Sequence, residues 1–588
     1  MSKPFIYILK NFWSSSKTYV LLSFLNQFIK IIVPFGAAIL PGLLIIELTN
    51  DARTYVLGLY VGIYAFYIFL SGIFSTFIEE KISILQYKLF ILLEEKKLEH
   101  SLQLDFATLE DSSFLDKREQ ANKFTGETGF GSYFESMMNL IGQCLVLIGF
   151  SIGIVTLNIF IFLFLILLFI MRSWITLKIE KRIAEVSLQS EKYERANSYF
   201  GFFVTLPQFA KEVRINGLKD FFSKKSQKNR AKSLKFGKKM FHYRELLSLI
   251  NLFLDILGQA VAYLYLIYQV LRNQIDVGLF TIYLASMLQM SGILTEASRI
   301  LGRIREQKVY FEAFKEVIDI KSTMENDKKL PTPTTIEKIE FKKVSFKYPG
   351  TDTYVLKNVD LILKEKEKLA IVGVNGAGKS TFIKLLCRLY DPTEGQILLN
   401  GINIKQFDYS EYMKLFAPVF QDFGFFSFSV EENVAPFGMK SGKSVEDVLE
   451  EVGFGDKLLQ LPNGIKTTIY KEFDTDGFVP SGGESQKLAL ARALYKDAPI
   501  ILLDEPTAAL DPKTEVFLYE KFNELIENKM SIFITHRLAS TKFCDKIVVF
   551  TENEEVEKSV IQYGSHNELI KQGGEYKKLY KAQSRFYV

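Results

Sequence analysis

Cysteine is scarce, with three in 588 residues. Cys144, Cys387 and Cys544 stand far apart and follow no CxxC, metal-ligand or disulfide-framework spacing. This excludes a disulfide scaffold and any need for an oxidising compartment, and each thiol is expected in ordinary core. The N-terminus, MSKPFIYILKNFWSSSK, lacks a small-residue cleavage site, and Lys10 breaks its apolar stretch, which argues against a cleaved signal peptide. It reads as an amphipathic helix lying on a membrane surface. Uniform composition is missing as well. The chain is 48% hydrophobic yet 24% charged, and its net +5 divides into +9 on residues 1–334 (39 Lys+Arg, 30 Asp+Glu) and −4 on residues 335–588 (33 and 37). At roughly 150 residues per domain the length allows about four domains, and one uniform soluble fold is excluded.

A bilayer core about 30 Å thick needs about 20 mostly apolar helical residues. Six segments before residue 305 meet that requirement: 19–48, 55–77, 134–156, 158–175, 246–271 and 277–300. Handfuls of residues (TNDART, TLN, RNQID) join the first to the second, the third to the fourth and the fifth to the sixth. The two other connections are long. Residues 172–245 hold 18 Lys+Arg against 7 Asp+Glu, whereas the three short loops together hold two arginines. The long connections and both termini are therefore expected to be cytoplasmic. The run KKSQKNRAKSLKFGKK between two spans reads as a solvated cytoplasmic face, not as a nucleic-acid site. Apolar residues at three- and four-residue spacing predict that membrane helices continue as cytoplasmic stalks. Each stalk pair carries a short turn-flanked tip, LDFATLEDSSFLDKREQA and TLPQFAKEVRINGLKDFF, suited to touch a cytoplasmic domain.

A polar, proline-containing stretch, STMENDKKLPTPTT, reads as a linker. It sets the expected boundaries: a membrane domain over 1–320, a linker over 321–335 and an α/β domain over 336–588. In the last, the strand KLAIVG runs into Gly373-Val374-Asn375-Gly376-Ala377-Gly378-Lys379-Ser380, which fits GxxxxGK[ST] with a strand before and a helix after. Backbone N–H groups of Gly373, Asn375, Gly376 and Gly378 can close around phosphates at a helix start. Lys379 adds a charge to the β/γ oxygens and Ser380, followed by Thr381, can ligate Mg²⁺. Downstream an apolar strand ends in Asp504-Glu505. The first carboxylate can hold Mg²⁺ and the second can polarise the attacking water. A third strand, SIFIT, delivers His536 toward the γ-phosphate. Ser481-Gly482-Gly483-Glu484 starts a helix whose free N–H groups suit an anion.

With these motifs the chain resembles an ATP-binding-cassette (ABC) exporter half-transporter over essentially its whole length. The resemblance implies a six-helix transmembrane domain with long cytoplasmic extensions, fused to a P-loop nucleotide-binding domain that uses ATP and Mg²⁺. It implies that Tyr348 stacks on adenine, and that Gln421 senses the γ-phosphate and joins Ser380 and Asp504 at the metal. It further implies that Ser481, Gly482 and Gly483 contact ATP held by a second subunit, that Asp511 lies in a loop crossing the dimer interface, and that the tips are coupling helices. Glu505, His536 and Gln421 form the implied catalytic set. Two departures stand out: Pro480 where the signature has leucine, and FDTDGF before it. With VFQDF, the latter is similar to a subgroup that exports modified peptides such as lantibiotics. The membrane segments begin almost at the N-terminus, so no leader-cleaving Cys-His peptidase is expected ahead of them.

The expected function is ATP-driven export across the cytoplasmic membrane by alternating access, by a homodimer or with a sister half-transporter. A peptide natural product is the first cargo; lipid flipping, multidrug efflux and an ATP-gated channel or regulator are the alternatives. Polar stripes in the spans, Asn251, Asp255, Gln259 and Tyr263 in the fifth and Glu135, Asn139 and Gln143 in the third, are expected either to bond helix to helix or to face a water-filled cavity. In the second case Asp255 and Glu135 would attract a cationic part of the cargo, unless Asp255 is protonated.

Overall fold

The structure, a computed structural model, describes residues 2–49, 53–126, 129–324, 330–436, 442–505, 528–535, 540–551 and 558–584. It divides into two compact units. One comprises Met1–Gln103 and Ser112–Ile320; the other comprises Leu104–Asp111 and Lys321–Val588.

Among its described residues the first unit is helical: α1 (Ser2–Ser15), α2 (Lys17–Thr49), α3 (Thr54–Leu102), then, beyond α4 (Phe106–Glu110), α5 (Ser112–Thr125), α6 (Phe130–Leu157), α7 (Ile159–Gly201), α8 (Pro207–Ile215), α9 (Lys219–Leu271) and α10 (Val277–Asp319). Six of these, α2, α3, α6, α7, α9 and α10, are long and apolar enough to span a bilayer. A helix satisfies its own backbone polar groups, which lipid cannot do. Four of the six run well past a bilayer's thickness, as the stalk pattern predicts: α9 alone has 53 residues. Their starts are set by side chains. Asn158 Oδ1 accepts from the Phe160 amide (2.8 Å), opening α7 after a single-residue turn, and Asp276 Oδ1 accepts from the Leu279 amide (2.6 Å), opening α10.

Packing inside the unit relies on aromatics at one end and small residues at the other. Phe12 of α1 is buried edge-on against Tyr19, Phe130 and Phe134, with centroids 4.7–4.9 Å apart, and Tyr7 meets Phe311 edge-on at 5.6 Å, so these rings anchor the helix while Ile6 and Trp13 stay exposed. Where α2 crosses α10, a Cβ on Gly278 would lie 2.1 Å from Ile46 Cγ1 and 3.0 Å from the Gly42 carbonyl oxygen. Backbones meet there because neither glycine has a side chain. Gly278→Leu should separate the helices and cost about 1–3 kcal/mol, the usual cost of overpacking. A lower melting temperature in detergent is the expected result, and an unchanged one would show the crossing to be loose.

The second unit holds two sheets built from β1 (Lys338–Phe346), β2 (Leu356–Lys364), β3 (Lys368–Gly373), β4 (Glu394–Leu399), β5 (Ile402–Asn403), β6 (Phe416–Val419), β7 (Ile500–Asp504), β8 (Met530–Ile534), β9 (Lys546–Phe550) and β10 (Val560–Gly564). An antiparallel sheet runs β2-β1-β4-β5, and a mostly parallel one runs β10-β9-β3-β8-β7-β6. Strands β7 and β8 are buried at every residue, Asp504 and Ser531 included, as the mostly apolar strands of a parallel sheet covered on both faces should be. The register aligns Ile371 with Ile534 and Asp504 with Ile534. The carboxyl ends of β3, β8 and β7 therefore open on one edge, where ligands of open α/β sheets bind.

Candidate functional site

The turn after β3 enters helix α11 (Lys379–Leu386) through Gly376 (φ 85°) and Gly378 (φ 88°). Positive φ suits glycine, and at Gly378 a Cβ would also strike Leu356 at 2.5 Å. Lys379 is buried, and its Nζ donates to the carbonyls of Gly373 and Val374, both at 2.9 Å, folding the side chain over the loop. Burial pushes its pKa down, and the nearby carboxylates of Glu505 and Asp504 oppose that. Asp504, at the end of β7, is pushed up by burial while a hydrogen bond with Ser380 pulls it down. Glu505 follows in the left-handed region (φ 52°), an uncommon conformation for a residue with a Cβ. Its amide donates to the Ile534 carbonyl (3.0 Å), and its Oε2 accepts from Gln421 Nε2 (3.3 Å).

These elements enclose a cavity of 440 Å³ lined by Asn375, Gly376, Gly378, Lys379, Ser380, Thr381, Gln421 and Glu505, with Val355 and Ile534. Every phosphate-loop residue expected from the sequence lines it except Gly373, which carries the loop's entry. Tyr348 lines an adjoining 550 Å³ cavity, and its hydroxyl lies 3.0 Å from Thr381 Oγ1. Ser481, Gly482 and Gly483 do not line either cavity. They begin helix α12 (Gly482–Lys496), where the Ser481 amide donates to Glu484 Oε2 (2.7 Å) and the Glu484 amide donates to Ser481 Oγ (3.3 Å), a reciprocal capping box. Burial raises the Glu484 carboxyl, but Ser481 and Lys457 hold it below the usual range. Ser481 and Gly482 are exposed. His536 and Asp511 lie outside the described residues.

Sequence reasoning missed how the first tip attaches. Helix α4 belongs to the second unit, where the Phe106 ring meets Tyr390 edge-on at 5.8 Å and Glu110 accepts from the Tyr390 hydroxyl. Lys384 of α11 lies over the rings of Phe106, Tyr348 and Tyr390, 5.5–5.8 Å from each centroid. One cation thus joins the tip, the phosphate-loop helix and Tyr348. Asp105 clamps the tip's start. Although burial raises its carboxyl, bonds from Ser322, Thr323 and the Met324 amide hold it below the usual range. No signal short of the fold identifies Tyr390 or Lys384, since neither sits in a motif.

In the first unit the structure favours, of the two readings of the Asp255 stripe, the one in which it bonds helix to helix. Arg172 Nη2 lies 2.6 Å from Asp255 Oδ1, which also accepts from Ser291 (3.2 Å) and Thr295 (3.1 Å). Arg172 is 4% exposed, so an arginine at the end of the fourth span neutralises the carboxylate helix to helix. Of the other stripe, Asn139 accepts from Gln27 (2.7 Å), while Glu135 lines a 160 Å³ cavity with Lys30 and Glu79. Asp255→Asn leaves a buried guanidinium unpaired and is expected to cost about 3–5 kcal/mol. It should therefore lower thermal stability and basal ATPase together, whereas normal stability with impaired export would return Asp255 to the cargo route.

A glycine-rich loop ahead of Lys379 and Ser380, two carboxylates at the end of β7 and a glutamine against the second of them, on a mostly parallel sheet fused to six spans, define a membrane-bound ATPase of the cassette type. Residues 356–508 match the family described as ABC transporter. The chain is 28% identical over 504 residues to the subtilin transport ATP-binding protein SpaT of Bacillus subtilis, covering 84% of this chain and 80% of that protein. It is 31% identical over 334 residues to the ATP-dependent lipid A-core flippase of Syntrophus aciditrophicus, covering 56% of this chain and 54% of that protein, so this match spans about half of each. The structure of a bacterial Atm1-family ABC exporter with ATP bound superposes with a TM-score of 0.81 at 20% identity, over 97% of this chain and 98% of that one, which shows a shared fold. The chain is an ABC exporter half-transporter, a multi-pass membrane protein whose nucleotide-binding domain is fused to its transmembrane domain.

Proposed function

We propose that this half-transporter exports a peptide from the cytoplasm, working as a homodimer in the bacterial plasma membrane with its nucleotide-binding domains cytoplasmic. The observation that carries the energy-coupling part is the single cavity shared by Lys379, Ser380, Gln421 and Glu505. Within it the chain's own groups divide the work. Loop amides and Lys379 hold the ATP phosphates, and Glu505, oriented by Gln421, takes the proton of the attacking water; Tyr348, outside that cavity but with its hydroxyl 3.0 Å from Thr381 Oγ1, is proposed to stack on the adenine. Ser380 and Asp504 present hard oxygen donors side by side, the set that suits Mg²⁺, whose charge would offset that of the phosphates. Gln421, which lines the same cavity, is proposed as the third donor. His536 is proposed to contact the γ-phosphate and Asp511 to cross the dimer interface.

The exposed capping box at Ser481 supports a composite site. Ser481 and Gly482 are exposed and none of the three signature residues lines the chain's own phosphate-loop cavity, so Ser481, Gly482 and Gly483 are proposed to complete the ATP site of a second copy. Pro480 precedes that helix with its φ suited to the approach, and it removes only an apolar side chain. Pro480→Leu should leave ATPase unchanged or up to about twofold faster, within the roughly 0.5 kcal/mol typical of surface changes. Abolished hydrolysis would assign the proline a specific role.

Peptide as cargo is supported by the likeness to SpaT, which extends over 80% of that protein, well beyond the nucleotide-binding domain. Lipid flipping is the second reading, favoured by the likeness to lipid A-core flippases. Reconstitution in vesicles separates them. Peptides, and not lipids or amphiphilic drugs, should stimulate ATP hydrolysis; stimulation by lipids alone would reverse the assignment.

A further inference from the structure

The cytoplasmic part of α9, residues 219–245, carries ten Lys+Arg against two Asp+Glu. At 100° per residue, Lys224, Lys228, Lys232, Lys235 and Lys239 fall within an arc of about 80°, a single file about 22 Å long. All five are exposed, and among the described residues no carboxylate pairs with any of them. The neighbouring α7 engages a different side of α9: Asn229 Nδ2 donates to the Tyr193 carbonyl (2.8 Å), and Phe236 stacks on Tyr193 at 5.6 Å. Of the five, Lys232 alone leans toward that contact, 5.5 Å from the Tyr193 ring.

Charge beside a bilayer is ordinarily explained by cytoplasmic orientation and anionic headgroups. That explains Lys239, about 10 Å along the helix from the span that begins near residue 246. It does not explain Lys224, roughly 33 Å away and about four Debye lengths from the surface at physiological salt. The spacing itself carries information. Lysines four residues apart on a helix recur about every 6 Å, while same-face side chains of an extended peptide recur about every 6.6 Å. Arg230 and Phe236 lie between Lys224 and Lys239 but off the file, about 240° and 120° round the helix from Lys224, and Phe236 is already stacked on Tyr193, so the file itself carries no stacking platform for bases.

We propose that the lysine file of α9 docks an extended acidic segment of the exported peptide on the cytoplasmic stalk, before the cargo reaches the membrane spans. The proposal rests on the peptide-export reading. Several weak pairs along one file hold a segment by charge and spacing without a fixed sequence, and release it as salt rises.

The test uses the full chain in nanodiscs of zwitterionic lipid and a fluorescent peptide of alternating Glu and Ser. Fluorescence anisotropy should show salt-dependent binding that weakens at least tenfold in the triple variant Lys228→Gln, Lys235→Gln, Lys239→Gln and recovers in the corresponding arginine variant. Basal ATPase, unchanged in both, reports an intact fold. Equal binding by wild type and triple variant would overturn the proposal, even where other peptides still stimulate hydrolysis and the export reading stands. A single-stranded oligonucleotide of equal charge binding more tightly would make the file a nucleic-acid surface. Lysine-dependent peptide binding with no peptide stimulating hydrolysis or crossing the membrane would remove the cargo as occupant and the export reading with it.

Discussion

Glu505→Gln should lower ATP turnover by about 10²–10⁴-fold, the usual worth of a positioned general base, while leaving ATP binding intact. The substitution keeps the side chain's size and its ability to meet Gln421, 3.3 Å away, but removes the negative charge that draws a proton from water. The backbone is the second part of the argument. Glu505 sits at φ 52° with its amide tied to the Ile534 carbonyl. This left-handed step at the end of β7 is uncommon for a side chain of this size, and such strain is retained mostly where position matters. Glutamine tolerates the same conformation about equally, so geometry is conserved and only the base is lost. Steady-state hydrolysis and nucleotide binding, measured together, check both halves. Near-wild-type turnover would remove Glu505 from the mechanism.

Lys379→Ala should act one step earlier and weaken ATP binding by roughly 10- to 100-fold, the loss expected from one or two hydrogen bonds to a charged group. Two effects add. The phosphates lose a cation, and the carbonyls of Gly373 and Val374 lose the donor that now satisfies both at 2.9 Å. The loop is then free to leave the arrangement that Gly376 and Gly378 make possible. Equilibrium binding of a fluorescent ATP analogue measures the change, and unchanged affinity would count against Lys379 as a phosphate ligand.

Much of this site is legible in the sequence because its chemistry is local. Gly376, Gly378 and Lys379 occupy one turn, and Asp504 with Glu505 one strand end, so spacing alone reports their roles. Six spans are legible for a comparable reason, since apolar length is a one-dimensional property. What escapes is what depends on pairing across the fold. Asp255 reads as well as a cavity carboxylate as a helix-to-helix bond until Arg172, 83 residues earlier, is placed beside it. The tip around Phe106 reads as a docking segment, but its seat on Tyr390 and Lys384 depends on residues nearly 280 positions away. Gly42 and Gly278 look like two ordinary glycines until the helices cross.

Coupling of hydrolysis to movement is the central claim, and one measurement addresses it directly: uptake of a labelled peptide into inside-out vesicles holding the purified chain. The account predicts accumulation in the lumen with ATP and Mg²⁺, none without nucleotide and none with Glu505→Gln, although that variant still binds ATP. Accumulation that persists undiminished in Glu505→Gln, or sustained hydrolysis by the wild-type chain without uptake of any peptide, lipid or amphiphile, would contradict it.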